Sequence, residues 1–133
     1  MKRQILGVFA TLAVVLMLSS AARAFATPCA KLSLSATPTT VKPGGTITIS
    51  GSITNCSSSP ERVKLDYTVT GPLNSKYMGD LFITLQPGQT RSATFTHTVP
   101  DNIPPGTYTL TVNAYSGGIL VATAQAKVTV TLF

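Results

Sequence analysis

From about residue 30 onward the chain alternates apolar and polar residues in short runs rich in threonine and valine, and this two-residue period constrains the fold more than any other feature. Successive side chains of a strand point to opposite faces, so such a run buries one face and wets the other. A helix needs apolar residues three and four apart, and no segment here sustains that spacing. Seven runs are legible: Leu32 to Ala36, Ile47 to Ile53, Val63 to Val69, Leu81 to Leu85, Ala93 to Val99, Tyr108 to Ala114, and Leu120 to Leu132. Turn residues separate them, at Pro43-Gly44-Gly45, Gly71-Pro72, Pro87-Gly88, Pro104-Pro105-Gly106 and Gly117-Gly118. The pattern predicts a seven-stranded antiparallel sandwich. A membrane barrel, the competing all-β architecture, needs at least ~8 strands and aromatic girdles, whereas the aromatic residues here are scattered.

The first 26 residues lie outside this pattern. Lys2 and Arg3 precede an uncharged, mostly apolar stretch from Ile5 to Leu18, and Ala24-Phe25-Ala26 has the small-x-small form that a signal peptidase cleaves. The apolar stretch is shorter than the ~20 residues a spanning helix needs. Residues 1–26 are therefore read as a cleavable signal peptide. Residues 27–133 are read as one domain, secreted or periplasmic, with no membrane span after cleavage. A second frame, Ala22-Arg23-Ala24, would start the chain at Phe25. Thr27 and Pro28 before Cys29 do not fit a lipoprotein signal, which places small residues there.

Cleavage also changes the charge. Three of the ten basic residues leave, and seven Lys and Arg remain against four Asp and Glu, a net charge of +3. These cations stand singly, with no run to follow a phosphate backbone, so nucleic acid is not an expected partner. The residues are equally poor in catalytic chemistry. His97 is the single histidine; its phase with Phe95 and Val99 predicts a partly buried side chain with one hydrogen-bond partner. There is no Gly-x-Ser-x-Gly elbow, no Asp-x-Asp calcium loop and no paired-carboxylate motif. Neither catalysis, a metal nor another cofactor is expected.

Cys29 and Cys56 are the two cysteines, and an even count in an exported chain points to a bridge. An antiparallel pairing that sets Leu32 against Ile53, Leu34 against Gly51 and Ala36 against Ile49 places Cys29 directly across from Cys56. Both share the polar phase, so the bridge is expected on the outer face. Asn55-Cys56-Ser57 matches a glycan acceptor pattern by chance.

The segment Pro105-Gly106-Thr107-Tyr108-Thr109-Leu110 resembles the corner that opens strand F of immunoglobulin-like domains. Together with Val-Lys-Pro-Gly-Gly-Thr at 41–46 and Leu-Gln-Pro-Gly-Gln at 85–89, it makes the chain similar to bacterial extracellular immunoglobulin-like and fibronectin-III-like modules, adhesion-related ones included. The resemblance implies an immunoglobulin-like sandwich in which Tyr108 bonds backbone upstream. It also puts the loops 57–62 and 115–119 at one end, where Ser58, Arg62 and Tyr115 form a candidate partner surface. Tyr77 and Met78 fall in a connection toward the other end or an edge. The expected function is a non-catalytic module binding a protein or glycan at the cell envelope or outside the cell. The alternative is a structural spacer that self-associates through a sheet edge, for which the long last strand, guarded by Lys127 alone, is the candidate. Expressed from Met1 in an exporting bacterium, the protein is expected to begin at Thr27 and carry no alkylatable thiol. N-terminal sequencing and intact mass check this; a retained Met1 would refute the export reading.

Overall fold

The computed structural model describes residues 27–132; the predicted signal segment lies outside them. Eight strands follow in order: β1 (Ala30–Thr37), β2 (Thr40–Val41), β3 (Thr46–Asn55), β4 (Glu61–Thr70), β5 (Ser75–Leu85), β6 (Thr90–Thr98), β7 (Gly106–Ser116) and β8 (Ile119–Val130). They form a three-stranded sheet, β1-β3-β6, and a five-stranded sheet, β2-β8-β7-β4-β5. All seven expected runs are strands. The count and the uniform antiparallel pairing need correction, because the chain leaves β1 through the cis Thr37–Pro38 bond and adds β2 to the second sheet, parallel to β8. That makes the five-stranded sheet mixed.

β2 also corrects the expectation of an open last strand. Thr129 N–H donates to Thr39 O at 2.8 Å and Thr131 N–H to Val41 O at 2.9 Å, so the end of β8 is paired. β1 packs beside the rest of it. The sheet edges without a neighbour on that scale are β5 and β6. β5 is longer than the alternation of Leu81, Ile83 and Leu85 predicts, and it takes in Tyr77 and Met78. β7 and β8 turn through Gly117 and Gly118, at φ 58° and 79°. This two-residue hairpin with both residues left-handed is the form that matches strand twist, and it leaves Tyr115 on a strand.

Between the sheets lie two core clusters. One contains Ala30, Ile53, Val63, Leu65, Leu85, Val112 and Ala114. The other contains Val41, Ile47, Ile49, Val99, Val128 and Val130, and Leu34 and Leu110 pack against both. β6 lies outside them. Every one of its residues is exposed, His97 included, because it is an edge with nothing across from its inward row.

The end of the sandwich where β1 begins is held by polar contacts. Cys29 and Cys56 are disulfide-bonded with Cα atoms 5.0 Å apart, in the register the sequence predicts. Beside them Asn55 is fully buried and fully used. Its Nδ2 donates to Ser59 O and Leu85 O, and its Oδ1 accepts from Ser57 N–H. Its backbone joins Gln89 O and Gly88 N–H. One side chain thus fixes the β3–β4 connection against the β5–β6 turn. Glu61 Oε1 accepts from Cys29 N–H at 3.0 Å, while its buried Oε2 has no hydrogen-bond partner among the described residues.

Opening a bridge of sequence separation 27 releases loop entropy worth about 3–4 kcal/mol. Asn55→Ala leaves buried backbone groups unpaired and costs about 2–4 kcal/mol. Urea unfolding of the Cys29→Ser/Cys56→Ser pair and of Asn55→Ala is expected to show losses of this size.

Candidate functional site

The outer face of the five-stranded sheet gathers the aromatic and charged side chains that the core excludes. Register sets them in rows across β8, β7, β4 and β5: Leu120, Tyr115, Lys64 and Phe82; then Thr123, Asn113, Asp66 and Asp80; then Gln125, Thr111, Thr68 and Tyr77. Neighbouring strands stand ~4.8 Å apart and successive rows ~6.8 Å.

Two irregularities shape this face. Val121 is an extra residue at the Ala114/Tyr115 step, so Leu120, which unbroken alternation puts in the core, lies beside Tyr115 and is 53% exposed. Met78 is extra on β5 at the Tyr67/Thr68 step, next to Gly79 at φ 127°. That bulge carries Tyr77 onto the outer face beside Thr68.

The cations are tied to the rings. The Arg62 guanidinium lies 4.7 Å from the centre of the Phe82 ring, and Lys64 Nζ lies 5.7 Å from that of Tyr115. Lys64 Nζ also stands 3.7 Å from Asp66 Oδ1 and 3.9 Å from Asp80 Oδ2. These are long, partly exposed pairs, worth at most about 1 kcal/mol each. They balance charge without satisfying Asp66 Oδ1, which is shielded from solvent and accepts no hydrogen bond among the described residues. Around it Thr123 Oγ1 donates to Asn113 Oδ1 at 2.8 Å and Gln125 Nε2 to Thr111 Oγ1 at 3.3 Å. Desolvation raises the Tyr77 hydroxyl above the ordinary phenol value, with further contributions from the charges of Asp80 and Asp66 and a hydrogen bond to Asp80.

Of the residues singled out from sequence, Arg62 and Tyr115 meet on this face, on strands rather than in loops. Ser58 stays in the β3–β4 connection at the same end, outside the rows. Tyr108 belongs elsewhere: its hydroxyl donates to Pro104 O at 2.7 Å and its ring packs against the second core cluster. Sequence reasoning missed Phe82, Asp66 and Asp80. Their signal is a phase opposite to Leu65, Leu81 and Ile83. Tyr77 had no such signal, because the bulge at Met78 reverses its phase. Among the described residues no three His, Cys, Asp or Glu side chains converge as a metal site.

Residues 41–116 match the family described as the NPCBM-associated, NEW3 domain of alpha-galactosidase. No curated protein sequence matches the chain. Among solved structures it is similar to the CARDB domain of a Pyrococcus furiosus protein in complex with di-metal ions, at 15% identity and TM-score 0.63, covering 78% of this chain and 89% of that one. It is also similar to a β-glucosidase of Erythrobacter marinus, at 12% identity and TM-score 0.60, covering 78% of this chain and 16% of that one. A third is the alkylpurine DNA glycosylase AlkC of Pseudomonas fluorescens bound to DNA containing an abasic site analog, at 17% identity and TM-score 0.58, covering 74% and 30%. The chain thus spans under a third of those two enzymes. These likenesses concern the fold, and with the family match they bear out the resemblance to extracellular immunoglobulin-like modules.

Lys64→Met leaves Asp66 and Asp80 as unscreened like charges directly across a strand pair. A loss of about 1 kcal/mol at low ionic strength is expected, shrinking in ~1 M salt, where partly exposed charges are screened. Urea titrations of both proteins at the two salt concentrations check it.

Proposed function

We propose that the chain, which belongs to the NPCBM-associated NEW3 domain family, is a non-catalytic accessory module that binds a glycan on the outer face of its five-stranded sheet. The observation that carries this reading is the interleaving of Tyr115, Phe82 and Tyr77 with Asp66, Asp80 and Asn113 in adjacent rows of one sheet face. A sugar presents an apolar C–H face and a rim of hydroxyls. Tyr115, Phe82 and Tyr77 offer surfaces for the first, and Asp66, Asp80 and Asn113 offer acceptors and donors for the second. Arg62 and Lys64 hold the rings and leave the face nearly neutral, which suits an uncharged ligand. The family's description names an alpha-galactosidase and a structural neighbour is a β-glucosidase, so galactosides and glucans are the first classes to test. The signal segment and the disulfide support work outside the cytoplasm. A structural role through a sheet edge is the second reading, favoured by β6, which is unpaired on one side along its length.

Titration of the purified chain with galactomannan and with β-glucan oligosaccharides is expected to give saturable, weak binding to one of them. Tyr115→Ala and Phe82→Ala should each weaken it at least tenfold without lowering the melting temperature by more than a few degrees. Tyr108→Phe should lower stability and leave affinity alone. Affinity unchanged in both ring variants would sink the assignment of this face.

A further inference from the structure

The sandwich is closed on one side, where β1 packs on β8, and open on the other, where β5 and β6 are both edges. A cleft of about 360 Å³ enters between the sheets there. Its floor is Gly51 and Ala93, directly paired between β3 and β6; Leu34 on β1 reaches toward Gly51 from one side, and the β6 side of this row carries nothing larger than a methyl group. Leu34 and Leu110, which pack against both core clusters, stop short of the β6 side of this cleft. At the mouth Leu81 and Phe95, both on inward rows, remain 50% and 52% exposed. The apolar interior is one strand short of being covered.

The two edges differ. β5 is guarded by the Met78 bulge and by Lys76 and Asp80, devices that stop another strand from pairing. β6 pairs with β3 residue for residue from Thr90 to Thr98, without a register break or a proline, and its other side is open. A straight edge of free N–H and C=O groups beside an apolar cleft is the geometry of strand addition, in which backbone supplies the pairing and alternate side chains fill pockets. Arg91 stands on the inward row of β6 opposite Ile53 and lines the cleft. Its guanidinium has no ion-pair or hydrogen-bond partner among the described residues.

We propose that β6 accepts an extended segment of a different protein as a fourth strand of the three-stranded sheet, with alternate apolar side chains over Gly51 and Ala93 and a carboxylate against Arg91. A second copy fits poorly. The acids on its strands are Glu61 and Asp66 of β4 and Asp80 of β5, so β6 paired on β6 brings Arg91 no carboxylate. An apolar small molecule would fill the cleft and leave the backbone of β6 unpaired.

The test uses two labelled peptides, Thr-Glu-Thr-Val-Thr-Val-Thr, whose glutamate and valines share one face, and its variant with Lys in place of Glu, added to the oxidised chain. The glutamate peptide is expected to bind saturably by fluorescence anisotropy, at least tenfold tighter than the lysine peptide. It should slow amide hydrogen exchange of Thr90–Thr98 at least tenfold. Arg91→Glu should reverse the peptide preference, and Ala93→Leu, which fills the floor, should weaken both peptides. If Ala93→Leu does not fold, the reversal in Arg91→Glu carries the test. Tyr115→Ala, on the other sheet, should bind the peptide normally, which separates this site from glycan binding. The proposal is overturned by any of three results: β6 amides unprotected at saturating peptide, a preference that Arg91→Glu does not change, or laurate occupying the cleft while neither peptide binds.

Discussion

The register of β3 is the constraint on which the rest of the structure depends. β3 is paired on both sides, and its inward row of Ile47, Ile49 and Ile53 supplies both core clusters. Its outward row, Thr46, Thr48, Ser50, Ser52 and Thr54, meets only hydroxyls and Lys31 on its neighbours. Ser33 bonds Ser52 at 2.6 Å, Ser50 bonds Thr94 at 3.3 Å, and Thr54 bonds Thr90 at 2.6 Å. A slip of one residue would exchange the faces, burying a lattice of hydroxyls and exposing three isoleucines. The disulfide and Asn55 sit at the end of this same strand, so the covalent link and the buried polar hub pin one register between them.

That register was legible because its determinants are local and periodic. Leu32, Leu34 and Ala36 have one phase, Ile49 and Ile53 another, and two cysteines meet only if the phases are aligned. The eighth strand was not legible, since Thr40 and Val41 are too short to show a period and pair in parallel with residues far along the chain. The face of the five-stranded sheet was half legible. Arg62 and Tyr115 could be placed at one end, but the bulges at Met78 and Val121 are single extra residues that alternation cannot detect. Each reverses the phase beyond it, and together they bring Tyr77 and Leu120 to the surface. The exposure of Phe95 and His97 was hidden for a different reason. Phase shows which way a side chain points, and it does not show whether another sheet covers it.

The two outer faces have separated chemically. On the three-stranded sheet the hydroxyls largely pair with one another, and no aromatic residue stands among them. On the five-stranded sheet rings, cations and carboxylates are interleaved at strand spacing, and one carboxylate oxygen is left without a donor. A surface that only had to stay wet would need none of that second arrangement. Holding Asp66 next to Asp80 costs repulsion that Lys64 offsets only at 3.7 and 3.9 Å. The asymmetry is the physical reason for locating recognition on the larger sheet.

The open side bears on the same question from within the core. Interiors of folded domains are close-packed, and a gap between two sheets forfeits dispersion contacts on every wall that lines it. Leucine at residue 93 would recover much of that contact at no cost in strand propensity, and glycine at residue 51 is a poor strand former with no side chain to pack. The chain nevertheless sets a glycine and an alanine side by side on the inward row, next to a long open edge that has neither bulge nor proline. An edge so exposed is an aggregation liability unless something pairs with it. Arg91 and His97, turned inward at its two ends, discourage an unselected apolar strand while leaving the middle free. A small floor, an open backbone and a charged end therefore act together as a filter for the segment that completes the sheet.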